Sequence, residues 1–273
     1  MSEDAHLQRA LAAALQRAAW RGQRTSPVTE RRYPAETSPA NATEAPSTAP
    51  DTPDPSPSGD SAPAPATASG ATPASQRALA AACSDLASLR AAVAACQACP
   101  LAATRTQTVF ADGSPTAEVL FVGEAPGAEE DASGVPFVGR AGQLLTDIIT
   151  KGMRLRREDV AIANVLKCRP PENRDPTAEE KALCTPFLDR QVELIDPAVV
   201  IPLGRHAANH LLATDETLGR LRARVHAWRG RKVVPTYHPA YLLRSPSEKR
   251  ACWEDIQLAL GALAEPGDSG ASS

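Results

Sequence analysis

The 273-residue sequence has no apolar run approaching the ~18 residues that a membrane-spanning helix requires, no excess of positive charge, and no serine or cysteine at a strand end as a nucleophile. The first absence excludes a transmembrane helix. The Ala/Leu-rich start carries Arg9 and Arg17 where a signal core would be continuous, so a soluble, cytoplasmic, monomeric protein with no membrane partner is expected. The second, a formal net charge of −3, speaks against an evenly basic nucleic-acid binder. The third argues against hydrolases that work through a nucleophile elbow. Lysine is scarce, since 24 of the 29 basic residues are arginine; with the Ala/Pro bias this reflects a GC-rich genome more than a function.

Proline is plentiful but concentrated. Eleven of the 25 prolines fall between Pro27 and Pro73 among Ala, Ser and Thr, a stretch that cannot build a core. The chain therefore divides into a short amphipathic helix within 1–25 with Leu7, Leu11, Leu15 and Trp20 at helical spacing, a disordered linker over 26–75, one domain over 76–265 and a disordered tail over 266–273. The N-terminal helix is a possible docking peptide for a protein partner, or packs back on the domain. A lead-in helix is expected over 76–95.

Beyond it, four short β-branched runs predict buried strands at 118–122, 160–165, 198–203 and 232–236,. Helical patterns at 141–152, 177–195, 206–213 and 247–263 separate them. Thr177 followed by Glu180 forms a capping box at the start of the second. This alternation predicts an α/β fold with a mostly parallel sheet covered by helices on both faces, and such folds bind ligands at the carboxyl ends of their strands. Those ends carry Glu124 in the turn Gly123-Glu124-Ala125-Pro126-Gly127, Asn164 before Lys167-Cys168-Arg169-Pro170, Gly204-Arg205-His206, and His238 in Tyr237-His238-Pro239. Taken singly, each could be a cap or turn residue; on one edge they form a constellation.

Cys96 and Cys99 form a Cys-x2-Cys pair, followed by Cys168 and Cys184. In a cytosolic chain such a set points to metal rather than disulfides, and both zinc and iron–sulfur sites accept four thiolates. The wide spacing from Cys168 to Cys184 tilts toward a cluster. Cys83 and Cys252 read as small buried apolar residues. His206 and His210, one helical turn apart, lack a nearby third ligand. Charge is also uneven: residues 220–250 hold nine basic residues against Glu248, a local field of about +8 that suits a polyanion.

Taken in order, Cys-x2-Cys, GEAPGAEED, GVPFVGRAGQLL, NVLKCRPPENRDP, a fourth Cys and HPAYLLR resemble the family 4 uracil-DNA glycosylases, over about Cys96 to Ala262. The resemblance implies a three-layer α/β/α sandwich with a central four-stranded, mostly parallel sheet, and a structural 4Fe-4S cluster on Cys96, Cys99, Cys168 and Cys184. It implies flipping of uracil out of single- or double-stranded DNA and hydrolysis of its N-glycosidic bond to leave an abasic site, the first step of base excision repair. By the same resemblance Phe137 stacks on the uracil ring, Asn164 reads its Watson–Crick edge, Glu130 excludes thymine, His238 stabilises the leaving anion at O2, and Glu124 orients water or stabilises the sugar cation. The alternatives are a non-catalytic module, or a covalently trapping uracil-DNA-binding protein using a histidine in an Arg-rich insert, for which His226 is the only counterpart.

Overall fold

The computed structural model describes residues 70–264. The expected N-terminal helix, most of the 26–75 linker and the 266–273 tail lie outside the described residues. Pro73, Ala74 and Ser75, assigned to the linker by composition, instead form the first turn of α1 (Pro73–Ala82), which Thr72 caps by accepting from the Ser75 N–H. Pro73 is tolerated there because the first helical N–H has no intrahelical partner to lose. The lead-in segment is not one helix but two. Asp85 starts α2 (Leu86–Ala95) as a new cap, accepting from the Ser88 N–H at 2.7 Å.

The sheet contains β1 (Asp112–Gly113), β2 (Val119–Gly123), β3 (Ala161–Asn164), β4 (Val199–Pro202), β5 (His226–Trp228) and β6 (Arg231–Val233), in the spatial order β1-β3-β2-β4-β6-β5. The four inner strands are parallel, as expected from their apolar runs. The two edge strands are antiparallel and went unforeseen. β1 is only two residues long, too short for any alternation to show. β5 and β6 form a hairpin across Arg229 and Gly230, both at positive φ (49° and 75°). That is the geometry of a two-residue primed turn, made here with arginine where Asn or Asp is the usual signal.

Because successive side chains of a strand face opposite ways, each inner strand feeds two cores. Val119, Phe121, Ile162, Val199 and Ile201 pack on one face against α5 (Arg140–Asp147), the π-helical turn Ile148–Met153 that continues it, and α10 (Lys249–Ala264). Leu120, Val122, Ala161, Ala163 and Val200 pack on the other against α6 (Ala178–Ile195) and α7 (Arg205–Leu212). The result is the three-layer sandwich. β2, β3 and β4 are buried throughout, as central parallel strands must be. The capping box of α6 is present: Thr177 Oγ1 accepts from the Glu180 N–H and Glu180 Oε2 accepts from the Thr177 N–H. No helix among the described residues is long and apolar enough to cross a membrane.

Candidate active site and cysteine cluster

The strand ends converge on a cavity of about 530 Å³ whose walls include Glu124, Glu130, Phe137, Asn164 and His238. All five residues picked from the sequence for chemistry at uracil therefore meet at one place. A smaller cavity of about 260 Å³ adjoins it, sharing Glu124, His238 and Tyr241 and adding Arg205 and His206.

Asn164 closes β3 in register with Gly123 of β2 and is 2 % exposed. Its Oδ1 is buried and accepts no hydrogen bond among the described residues. An orphaned buried acceptor is unfavourable unless a ligand supplies the donor. Gly123 makes the geometry possible. A Cβ there would lie 2.2 Å from Asn164 Oδ1 and 2.6 Å from Phe137 Cζ, so a side chain would expel one or the other.

Phe137 is buried and sits at φ 56°, a conformation that a bulky residue holds only where its surroundings impose it. Two groups impose it. Glu130 accepts from the Gly127, Val138 and Gly139 N–H groups at 3.1, 3.0 and 3.2 Å, and Arg157 donates to the Pro136 carbonyl at 2.8 Å. Glu130, on the short helix α4 (Ala128–Ser133), is thus a brace for the aromatic wall as well as part of the cavity lining.

His238 caps α9 (Pro239–Arg244), its Nδ1 accepting from the Ala240 N–H at 3.1 Å. An accepting Nδ1 in a neutral ring leaves the proton on Nε2. Burial, with Arg244 adding to it, lowers the ring's pKa to about 4. His238 is therefore a neutral Nε2–H donor at physiological pH, a point on which the sequence is silent. Its ring lies 5.6 Å from that of Phe137.

Glu124 keeps a quarter of its side chain exposed, with Oε1 3.6 Å from His206 Nδ1; His206 Nε2 lies 3.7 Å from Asp175. Burial, and secondarily the Asp175 charge, raises Glu124 to about pKa 7. His206 thus faces two carboxylates.

Cys96 ends α2 and Cys99 precedes α3 (Leu101–Thr104), while Cys168 follows β3 and Cys184 lies within α6. All six cysteines are free thiols. Cys99, Cys168 and Cys184 pack around Leu101 and Leu166, and Cys184 also neighbours Cys96. Burial pushes Cys99 up to about 11 and Cys184 up to about 12, with neighbouring cysteines adding to each shift. Arg105 donates to Cys168 Sγ at 3.2 Å and the Lys167 N–H to Cys184 Sγ at 3.3 Å, so donors that would stabilise thiolates are already in place. Among the described residues the group whose ligand atoms all lie within 4.8 Å of one another is Glu124, Asp175 and His206.

A sequence profile described as the uracil DNA glycosylase superfamily matches residues 110–257. The chain belongs to this superfamily. Within it, the type-4 uracil-DNA glycosylase of Thermotoga maritima is 46 % identical over 176 residues, covering 63 % of this chain and 91 % of that protein. The type-4 enzyme of Archaeoglobus fulgidus is 46 % identical over 173 residues, covering 60 % and 86 %. That of Saccharolobus solfataricus is 44 % identical over 176 residues, covering 62 % and 82 %. The chain is a member of the type-4 uracil-DNA glycosylase family.

The main cavity also holds residues that sequence reasoning missed. Asn173, Asp175, Tyr241 and Arg244 line the main cavity. Asn173, at φ 56°, carried a usable signal in being an asparagine between charged residues, a type that tolerates left-handed backbone. The basic segment proves less uniform than its composition. Arg222 pairs with buried Asp255, Arg229 with Asp189, Arg231 with Asp196 and Arg250 with Glu254, which removes about half of the expected +8 field. Arg244 is the member of the segment that reaches the cavity. His226 Nε2 lies 2.7 Å from the Leu221 carbonyl, on the edge hairpin and outside both cavities, away from where a trapping histidine would act.

Proposed function

We propose that the protein flips uracil from DNA into the main cavity and hydrolyses its N-glycosidic bond, releasing free uracil and leaving an abasic site. The observation carrying this reading is the convergence on one cavity of an orphaned amide oxygen at Asn164, a braced aromatic at Phe137 and a neutral imidazole donor at His238. Flipping is required because the target bond is inaccessible within a stacked duplex. Phe137 offers its face to the uracil ring. Asn164 accepts from uracil N3–H and donates to O4; cytosine presents the opposite pattern and would leave these buried groups unpaired. To Glu130 we assign the exclusion of thymine's C5 methyl, a role supported by the three backbone bonds that hold it rigid.

As the bond between C1′ and N1 breaks, its electron pair passes to uracil, whose negative charge spreads to O2. His238 Nε2–H donates to that oxygen, a bond stronger in the transition state than in the ground state. The sugar develops positive charge, which ionised Glu124 stabilises while orienting the water that adds to C1′. Cys96, Cys99, Cys168 and Cys184 would hold a 4Fe-4S cluster, which supplies structural cross-linking rather than chemistry at the base; the four-thiol donor set and the donors already placed on Cys168 and Cys184 support that group.

Release of uracil from a single-stranded oligonucleotide with one deoxyuridine tests the assignment. Wild type should act without added metal or nucleotide, and Asn164→Ala and His238→Ala should each lose about 100-fold or more. Undiminished release by Asn164→Ala would overturn the readout role.

A further inference from the structure

Lys167 is 1 % exposed, yet among the described residues no carboxylate pairs with it. Its Nζ curls back three residues to donate to the Asn164 carbonyl at 2.6 Å and also donates to Gln191 Oε1. Both acceptors are neutral. A buried ammonium is strongly unfavourable without a counter-charge, and burial lowers the pKa of this amine to about 8. The same residue's N–H donates to Cys184 Sγ and its carbonyl accepts from the Val109 N–H. Gln191 lies seven residues after Cys184, two turns along the same face of α6, and its amide donates to the Phe110 carbonyl at 3.0 Å. The lysine is therefore held from the cysteine side and the helix side, and it holds the end of β3.

We propose that Lys167 is a positioning residue that ties the four-cysteine site to Asn164, its backbone N–H held on Cys184 while its side chain fixes the backbone from which the uracil-reading amide projects. An apolar side chain would fill the space but supply no donor to the Asn164 carbonyl. The inference rests on the reading of Asn164 given above. It adds a route by which occupancy of the cysteine site bears on base recognition although the cysteines do not touch the base.

The test is a double-mutant cycle on the iron-loaded protein with two readouts. One is kcat/KM for uracil release. The other is the affinity for a single-stranded oligonucleotide carrying non-hydrolysable 2′-fluorodeoxyuridine, relative to the same strand with thymidine. Iron content and visible absorbance are recorded for every variant. Lys167→Met should lower both readouts about 30-fold in the wild-type background and less than about twofold on top of Asn164→Ala, because residues acting through one another are non-additive. Gln191→Glu, which keeps the ammonium but offers it a nearby carboxylate, is read by the same cycle and should be weaker in the same sense; it decides the matter if Lys167→Met does not take up iron. Equal losses in both backgrounds, or no loss with iron retained, would overturn the coupling. If Asn164→Ala alone were fully active, the readout assignment would fail instead, so the two failures are distinguishable.

Discussion

Glu124 shows how one residue's environment sets both chemistry and cost. Its pKa is raised to about 7 by burial and by Asp175, so the folded protein holds a proton that the unfolded chain releases near the ordinary glutamate value of about 4.3. Between those values the folded state binds more protons, and stability therefore falls as pH rises toward and past 7. Glu124→Gln should accordingly raise the melting temperature relative to wild type at pH 8, by about 1–2 kcal/mol of stability, and leave it nearly unchanged below about pH 4. Activity runs the other way. If the ionised carboxylate stabilises the sugar cation, wild-type kcat/KM rises with pH through about 7, and the Glu124→Gln profile lacks that ascending limb. A pH–rate profile with the limb intact in the glutamine variant would remove Glu124 from the mechanism. His238, held neutral down to about pH 4, titrates too far below to account for such a limb.

Among the elements, the two basic helices and the hairpin between β4 and α10 divide their arginines by task. Arg222, which ends α8 (Leu218–Leu221), forms two hydrogen bonds to Asp255 of α10, whose carboxylate also accepts from Thr236. Its guanidinium lies 5.0 Å from the Tyr237 ring, and Tyr237 stacks on Tyr241 at 5.3 Å, so this pair braces the rim of the cavity. Removing one partner of a buried pair strands the other: Arg222→Ala should cost about 3 kcal/mol, seen as a lower midpoint in denaturant unfolding. Arg244, on the cavity wall, has no ion-pair partner among the described residues. Arg244→Ala should leave the unfolding midpoint in place, weaken duplex binding, and reduce the slope of log K against log salt by about 0.9. An unchanged slope would mean that Arg244 contacts no phosphate.

For the whole molecule, the cysteine set joins regions far apart in sequence. The α2–α3 connection supplies Cys96 and Cys99, and the segments after β3 and within α6 supply Cys168 and Cys184. Metal bonds across them would fasten the N-terminal helices to the sandwich and hold the loop leading to Asn173 and Asp175. Metal binding of this kind is folding free energy. Cys168→Ala should lose the visible absorbance of iron–sulfur ligation and melt about 10 °C or more below wild type, whereas wild-type melting and activity in that variant would exclude a structural cluster.

The four parallel strands and the Thr177 cap were legible in the sequence because each rests on local pattern, buried β-branched runs and a four-residue capping box; Glu124, Asn164 and His238 stood out as polar residues at strand ends, whereas Glu130 and Phe137 were singled out only by the family resemblance. The edge strands β1 and β5 were not, being too short for alternation, and the break at Asp85 was hidden within a continuous Ala/Leu pattern. Composition set the expectation of one domain after a proline-rich stretch and showed that residues 220–250 are basic. Only tertiary structure decided that Arg222, Arg229 and Arg231 are neutralised by Asp255, Asp189 and Asp196 from other elements, that His238 is a neutral donor, and that Lys167 reaches back to Asn164. The apparent paradox of a near-neutral chain acting on DNA dissolves in the same way. Charge is counted along the chain, whereas the field at a site depends on which charges the fold brings within a few ångströms of one another.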